Sequence, residues 1–432
     1  MTPMTATALA AALSRRELSA EQVLRDCLER IEQREPELRA FAHLDPAPAL
    51  ARARQLDAGA VTGPLHGLPL GVKDLFDTAD LPTAYGSAIW HGHRPRADAG
   101  VVAACRAAGA LIPGKTVTTE FAAFTAGPTR NPHHAGHTPG GSSSGSAAAV
   151  AAGWLPLALG TQTAASIVRP AAYCGIVGFK PSAGLIGRAG VKLMSDTLDT
   201  VGGFARTVED VALLAAVLTG DEGLRLGEGA GFGTATAGAT DASGARVGLF
   251  RGPHWDVVGD DVRALWEGVA RRVGREIASP EWFAPLTALQ IDVMQHEAAR
   301  SLAWEHANRS AQLSDRMRAL LDTGAAIDGG AHRRNIEATR IARRRAETLF
   351  EHHDVLLAPS AAGEAGLWEE GTGDPLFGRA WTLLGLPCLH LPLGVGATGL
   401  PIGLQVVGAM GDDAKVLRAG AWLQGLLGDR VG

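Results

Sequence analysis

The chain has 432 residues, 46% of them hydrophobic, with a mean hydropathy of +0.07; that is enough apolar material for a large core and, by length, roughly one to three domains. A formal net charge of −5 and a pI near 6.3 give no electrostatic case for nucleic acid or an anionic membrane as partner. The 55 glycines follow no triplet repeat, which excludes a collagen-like chain.

The first stretch, MTPMTATALAAALSRRELS, lacks a basic region ahead of its alanines and is broken by Arg15 and Arg16, so it reads as a surface helix rather than a signal peptide. No apolar run is long enough to span a bilayer, and the cytoplasm is the expected compartment. Ser19-x-x-Gln22 is a capping box, and Val23, Leu24, Cys27, Leu28 and Ile31 continue it at helical spacing, with Pro36 as the expected end. Gly67 to Val72 (GLPLGV) predicts a strand running into Lys73, residues 99–108 a helix, and Ala110 to Pro113 a buried strand. From Thr125 to Gly145 the chain is rich in Gly, Pro, His and Ser without periodicity, a long loop of the kind that usually carries function. A small-residue helix (146–152), a strand (155–159) and a loop bearing Ser166 follow. Residues 220–245 read as a flexible surface excursion, Arg246 to Phe250 as a strand, and about 260–353 as mostly helix. Strands are expected at Val355–Ala358, Cys388–Pro392 and Ile402–Val407. Helices and strands alternate throughout, which predicts an α/β fold, and no linker or repeat divides it, so residues 1–432 are read as one domain. Cys27, Cys105, Cys174 and Cys388 lie in apolar surroundings at no paired spacing and are expected to be buried thiols.

Two motifs compete for the chemistry. Gly109-Ala-Leu-Ile-Pro-Gly114-Lys115-Thr116 fits the phosphate-loop pattern, but that mechanism needs a strand before the first glycine and a helix opening at Lys-Thr. Here a helix precedes Gly109 and bulky Ile112-Pro113 occupy the loop, so a helix-to-strand turn is the better reading. Gly141-Ser-Ser143-Ser-Gly145 fits the nucleophile-elbow pattern, yet Asn131 to Gly140 (NPHHAGHTPG) cannot be the strand an elbow requires.

A third reading unites the remaining features. Gly67-Leu-Pro-Leu-Gly-Val-Lys73-Asp74, Thr138-Pro-Gly-Gly-Ser142-Ser-Ser-Gly-Ser-Ala, Gly160-Thr-Gln-Thr-Ala-Ala-Ser166 and Arg169-Pro-Ala-Ala-Tyr-Cys-Gly175 through Gly178-Phe-Lys-Pro181 resemble the amidase signature family, with weaker echoes to Gly399-Leu-Pro-Ile-Gly-Leu-Gln405. The resemblance covers about residues 10–425 and implies a central mixed sheet flanked by helices. It also implies a Ser-cisSer-Lys triad: Lys73 as base, Ser142 as a bridging serine after a cis peptide bond, and Ser166 as nucleophile. Backbone N–H groups of Thr163, Ala164, Ala165 and Ser166 become the oxyanion donors, with Ser143, Gln162 and Arg169 packed around the triad. Three positions depart from the family pattern. Ala164-Ala165 replace Gly-Gly, Gln162 stands for an Asp, and Val168 replaces the usual Arg, with Arg169 one residue on.

The chemistry agrees with the assignment. A hydroxyl needs a neighbouring base, lysine serves only when neutral, and a second hydroxyl both donates and accepts. The expected activity is hydrolysis of a small amide, carbamate or ester without metal, cofactor, nucleic acid or membrane; a homodimer is left open. The alternatives are an amidotransferase component feeding ammonia to a partner enzyme, as some relatives of the family do, and a non-catalytic binding relative. His91, His93, His133, His134 and His137 show no metal-ligand spacing, and Arg340, Arg343, Arg344 and Arg345 read as a solvated helix face. Substrate pockets are expected to draw on the 125–137 loop and the 290–340 stretch.

Overall fold

The computed structural model describes residues 3–227 and 245–427. Along its strands successive side chains face opposite sides of one sheet, and the core divides accordingly. Val355 and Leu357 pack into one apolar cluster while Leu356 and Ala358 pack into another, and Leu389 and Cys388 divide the same way. Helices therefore cover both faces, as an α/β fold requires.

The strands are β1 (Phe41–Leu44), β2 (Leu70–Lys73), β3 (Gly114–Thr116), β4 (Leu157–Gln162), β5 (Val177–Lys180), β6 (Thr200–Ala205), β7 (Val247–Phe250), β8 (Gly274–Ile277), β9 (Val355–Pro359), β10 (Cys388–Val395) and β11 (Pro401–Val407). They form one 11-stranded sheet in the order β1-β3-β2-β4-β6-β5-β10-β11-β9-β7-β8. β2 is parallel to β3 and β4, and β7 is parallel to β8 and β9. The other pairings are antiparallel, so the sheet is mixed.

Several sequence expectations need correction. The helix capped by Ser19 runs from Ala20 to Leu38, past Pro36, and stops where Arg39 turns left-handed at φ 52°. Proline deletes one donor there, but the last turn holds because Arg39 N still reaches Glu35 O (2.8 Å) and the Glu35 carboxylate takes the amides of Ala40 and Phe41. Ala110 to Pro113 is extended and buried, yet only Leu111 bridges to Pro69; the strand proper is Gly114–Thr116. The long loop ends at Ser143, since a helix begins at Ser144. β1, β5, β6 and β8 had no clear signal, and β8 (GREI) is an edge strand whose exposed charges hide it within a helical stretch. The excursion expected over 220–245 falls mostly on residues 228–244, outside the described residues. All four cysteines are free and buried. Among the described residues no helix is long and apolar enough to cross a membrane.

Candidate active site

Lys73 closes β2 in the sheet interior, paired with Thr116 of β3, and its side chain is fully buried. Nζ donates to Ser142 Oγ (2.7 Å) and Thr161 Oγ1 (2.8 Å). Among the described residues no carboxylate comes within ion-pair distance of it. Burial therefore drives the amine well below its ordinary pKa, opposed only by the field of Asp199. Lys115, next door on β3, is the control. Its Nζ meets Asp74 Oδ1 at 3.2 Å and donates to Phe76 O (2.8 Å) and Thr83 Oγ1 (2.6 Å). Burial lowers that amine too, but its carboxylate partner works against the shift. The phosphate-loop pattern is thus a strand with an inward ion pair.

The serine loop reaches Lys73 because the helix Ser144–Ala151 starts against the backbone of a neighbouring segment. Gly145 N donates to Val117 O (3.0 Å), and a Cβ on Gly145 would stand 2.1 Å from Ala40 O. The Gly141–Ser142 peptide bond is cis. Ser143 does not open onto a cleft as an elbow nucleophile would. It is buried and donates to Ser166 O (2.6 Å), tying the two serine segments together. Arg169 Nη2 donates to Gly141 O (2.7 Å).

The turn from Thr163 to Ser166 is built by fastening its carbonyls. Thr163 O accepts from Gln290 Nε2 (2.9 Å), Ala164 O from Thr382 Oγ1 (2.6 Å), Ala165 O from Arg169 N (2.9 Å) and Ser166 O from Ser143 Oγ. A trans peptide plane directs each following N–H the opposite way. The amides of Thr163, Ala164, Ala165 and Ser166 donate to no acceptor among the described residues. Gln162 accepts from Ile167 N (2.9 Å) and Val168 N (3.1 Å) and donates to Thr382 Oγ1 (2.9 Å), so it caps the helix after the turn. Neither Ala164 nor Ala165 has a positive φ, so Gly-Gly is dispensable here. Room for the methyls comes from Gly378, where a Cβ would lie 2.6 Å from that of Ala165.

Ser166, 7% exposed, faces a narrow pocket lined by Ala122, Ala123, Phe124, Met194, Met294 and Pro375 together with Arg169 and the turn. Lys73 and Ser142 are brought into contact. The Ser166 hydroxyl is hydrogen-bonded to neither, although its backbone is tied to the same loop. Of the expected pocket segments only Met294 contributes, and the 122–124 stretch replaces the 125–137 loop. Phe121 and Ala122 there have φ of 46° and 63°, conformations that concentrate at functional sites. Gln290, Thr382 and Arg379 carry no local motif, so sequence reasoning passes over them; Thr161 and Asp199 lie within family-like stretches (160–166 and 197–202) but are given no role there. Asp199 takes the Thr163 hydroxyl and the amides of Met194 and Ser195, and burial raises its pKa against those bonds.

Among the described residues no three His, Cys, Asp or Glu side chains converge as metal ligands would. His133 Nε2 lies 2.9 Å from Cys174 O and His137 Nδ1 2.7 Å from Ala365 O, while His93 packs on Trp90. Arg343 is not solvated: it donates to Leu383 O (2.9 Å) and Thr197 O (3.2 Å), whereas Arg340, Arg344 and Arg345 are exposed.

The profile of the Amidase family matches residues 22–417. A glutamyl-tRNA(Gln) amidotransferase subunit from Acidothermus cellulolyticus is 36% identical over 99% of this chain and 95% of its own length. Among solved structures, a chain from the inhibitor-bound vestigial complex that reveals the evolutionary origins of an s-triazine catabolic enzyme matches with a TM-score of 0.89 and 28% identity, covering 98% of both chains. The peptide amidase from Stenotrophomonas maltophilia matches with a TM-score of 0.81 and 29% identity over 98% of this chain and 97% of that one. A sheet of this order, with a buried lysine bonded to a serine, and a family profile spanning most of the sequence lead to one conclusion: the chain belongs to the amidase signature family, enzymes acting on carbon–nitrogen bonds.

Proposed function

We propose that the protein hydrolyses the C–N bond of a small amide or carbamate, or the C–O bond of a related ester, through an acyl-enzyme on Ser166. The observation that carries this reading is the fully buried Lys73, whose polar neighbours are hydroxyls and not a carboxylate. Neutral Lys73 takes the Ser142 proton as Ser142 takes that of Ser166, and Ser166 Oγ attacks the carbonyl carbon. The oxyanion is met by the free amides of the 163–166 turn, a contribution that is usually large. The C–N bond then breaks, the relay returns the proton to the departing amine, and water releases the acid by the same route. The Ser142–Ser166 contact closes on substrate binding, as catalytic hydrogen bonds often do. A fluorophosphonate should label Ser166, and Ser166→Ala should abolish labelling. Labelling lost in Ser143→Ala but retained in Ser166→Ala rejects the reading.

The second reading is a glutamine-hydrolysing component of an amidotransferase, favoured by the name carried by curated relatives 36% identical to this chain. It predicts glutamine turnover and dependence on a partner. The pocket lining argues for the first reading, since among the described residues it offers no Asp or Glu to an α-ammonium group. Turnover of simple amides by the isolated chain, without glutaminase activity, separates the two.

A further inference from the structure

We infer that Arg379 is a positioning residue for the reaction: acting through Gln290, it sets the direction of the Ala164 N–H, an inference that rests on the hydrolase reading above. Gln290 lies fully buried on the helix Leu286–Ser301, and both ends of its amide are in use. Nε2 donates to Thr163 O (2.9 Å), and Oε1 accepts from Arg379 Nη1. Beyond that, Nε2 reaches only Met294 Sδ, a weak acceptor 3.8 Å away. Arg379 comes from a different helix, Leu376–Leu384, and is 7% exposed. Among the described residues it makes no ion pair, and its one side-chain hydrogen bond is the one to Gln290. It is not among the residues that line the Ser166 pocket, so its path to the chemistry runs through Gln290.

A carboxamide is nearly symmetrical in shape and opposite in hydrogen-bonding sense at its two ends. Shape alone would let Gln290 sit either way round. A guanidinium has donors and no acceptor, so beside Arg379 only the oxygen fits, and Nε2 is left for Thr163 O. Turned over, the amide would set Oε1 against the Thr163 carbonyl and Nε2 against the guanidinium, two repulsive contacts in a buried place. The Arg379 bond is charge-assisted, about twice the strength of a neutral one, and it decides an orientation rather than adding one more contact. Thr163 O and the Ala164 N–H share a peptide plane and point opposite ways. Holding the carbonyl against Gln290 therefore holds the N–H toward the place proposed for the oxyanion, and Arg379 governs that donor without touching the substrate.

The test reads the second-order rate at which a fluorophosphonate labels Ser166, because Oγ displaces fluoride at phosphorus while the phosphoryl oxygen draws on the same amides. In parallel, kcat and KM are read for whichever of acetamide, propionamide and butyramide is turned over fastest. Arg379→Met should slow labelling and lower kcat by about tenfold, the cost expected of a misaimed oxyanion donor. KM should change by less than about twofold, and the pH midpoint of labelling should not move. Arg379→Lys should recover most of the rate, since an ammonium too can only donate to Oε1. Gln290→Glu should lose at least as much, although its carboxylate pairs with Arg379 and the melting temperature holds, because an acceptor then faces Thr163 O. A merely structural role predicts the reverse there, a rate that follows stability. Folded Arg379→Met or Gln290→Glu with wild-type labelling and kcat overturns the inference, as does a loss carried by KM or a moved pH midpoint. A misfolded Arg379→Met leaves Gln290→Glu to decide. If wild type is labelled at Ser166, these outcomes bear on Arg379 alone. If Ser166 is not labelled and no amide is turned over, the hydrolase reading falls and takes this inference with it.

Discussion

Thr382→Val is the most informative single change. Valine keeps the shape of threonine and deletes one oxygen, which donates to Ala164 O (2.6 Å) and accepts from Gln162 Nε2 (2.9 Å). The same hydroxyl lies 2.9 Å from Gly378 O, but that carbonyl sits one helical turn back, so its loss matters less. Two buried groups, Ala164 O and Gln162 Nε2, are left without that partner at about 1–3 kcal/mol each. A total of roughly 2–6 kcal/mol should appear in urea unfolding as a lower midpoint at unchanged slope. Freeing Ala164 O also frees the peptide plane that aims the Ala165 N–H. Complete loss of an oxyanion donor costs about 10²–10³ in kcat, and a misaimed donor should cost on the order of tenfold. The pH profile of kcat/KM should keep its midpoint, because Lys73 and its partners are untouched. A variant destabilised as expected but with wild-type kcat refutes the idea that carbonyl fastening positions the catalytic amides.

Other outcomes follow from the buried groups. kcat/KM should rise with pH through one ionisation and plateau, and Lys73→Arg should be inactive because a guanidinium cannot give up its proton; near-normal turnover by that variant makes Lys73 a positioning charge. Lys73→Met should be inactive yet gain stability relative to wild type at neutral pH, because the depressed amine is disfavoured as a cation in the fold while the unfolded chain protonates it. That gap should close as pH rises toward about 10.4, and a gap that widens there contradicts the sign. His390, buried with Nδ1 2.7 Å from Ser360 Oγ, has its pKa pulled down to about 3 by burial. The unfolded chain protonates at about 6.5, so wild type should lose stability between that pH and 3, and His390→Asn should lose less over the same range in melting temperature. Prolonged dialysis against EDTA should leave kcat/KM unchanged; a loss restored by zinc contradicts the metal-free mechanism.

What could be read from the sequence was whatever is encoded locally. GLPLGV announces β2 because a continuous apolar run suits a strand buried on both faces, and it delivers Lys73. The small-residue block around Ser142 and Ser166 is legible because close backbone approach demands such residues, as at Gly145. Context, not pattern, removed the phosphate-loop reading, and Lys115 facing Asp74 supplies the physical reason. What stayed hidden is what acts across distance. Gln290 meets Thr163 from 127 residues away, and Thr382 meets Ala164 from 218. Neither lies in a motif, and no periodicity marks a residue whose partner is set by packing. The pocket was misplaced for the same reason, since Pro375 and Met194 reach it through the sheet topology.

The fastening of the 163–166 carbonyls has a consequence for biogenesis. Two of the four clasps, Gln290 and Thr382, are synthesised well over a hundred residues after the turn they hold. A nascent chain that has already released Lys73, Ser142 and Ser166 from the ribosome therefore carries every group of the proposed triad but no fixed geometry for the 163–166 turn. Domains acquire such long-range contacts late, so under the proposed mechanism competence arrives with the C-terminal third rather than with the three proposed reacting groups. On that mechanism an emerging polypeptide is spared a reactive serine while its own amide bonds are still exposed.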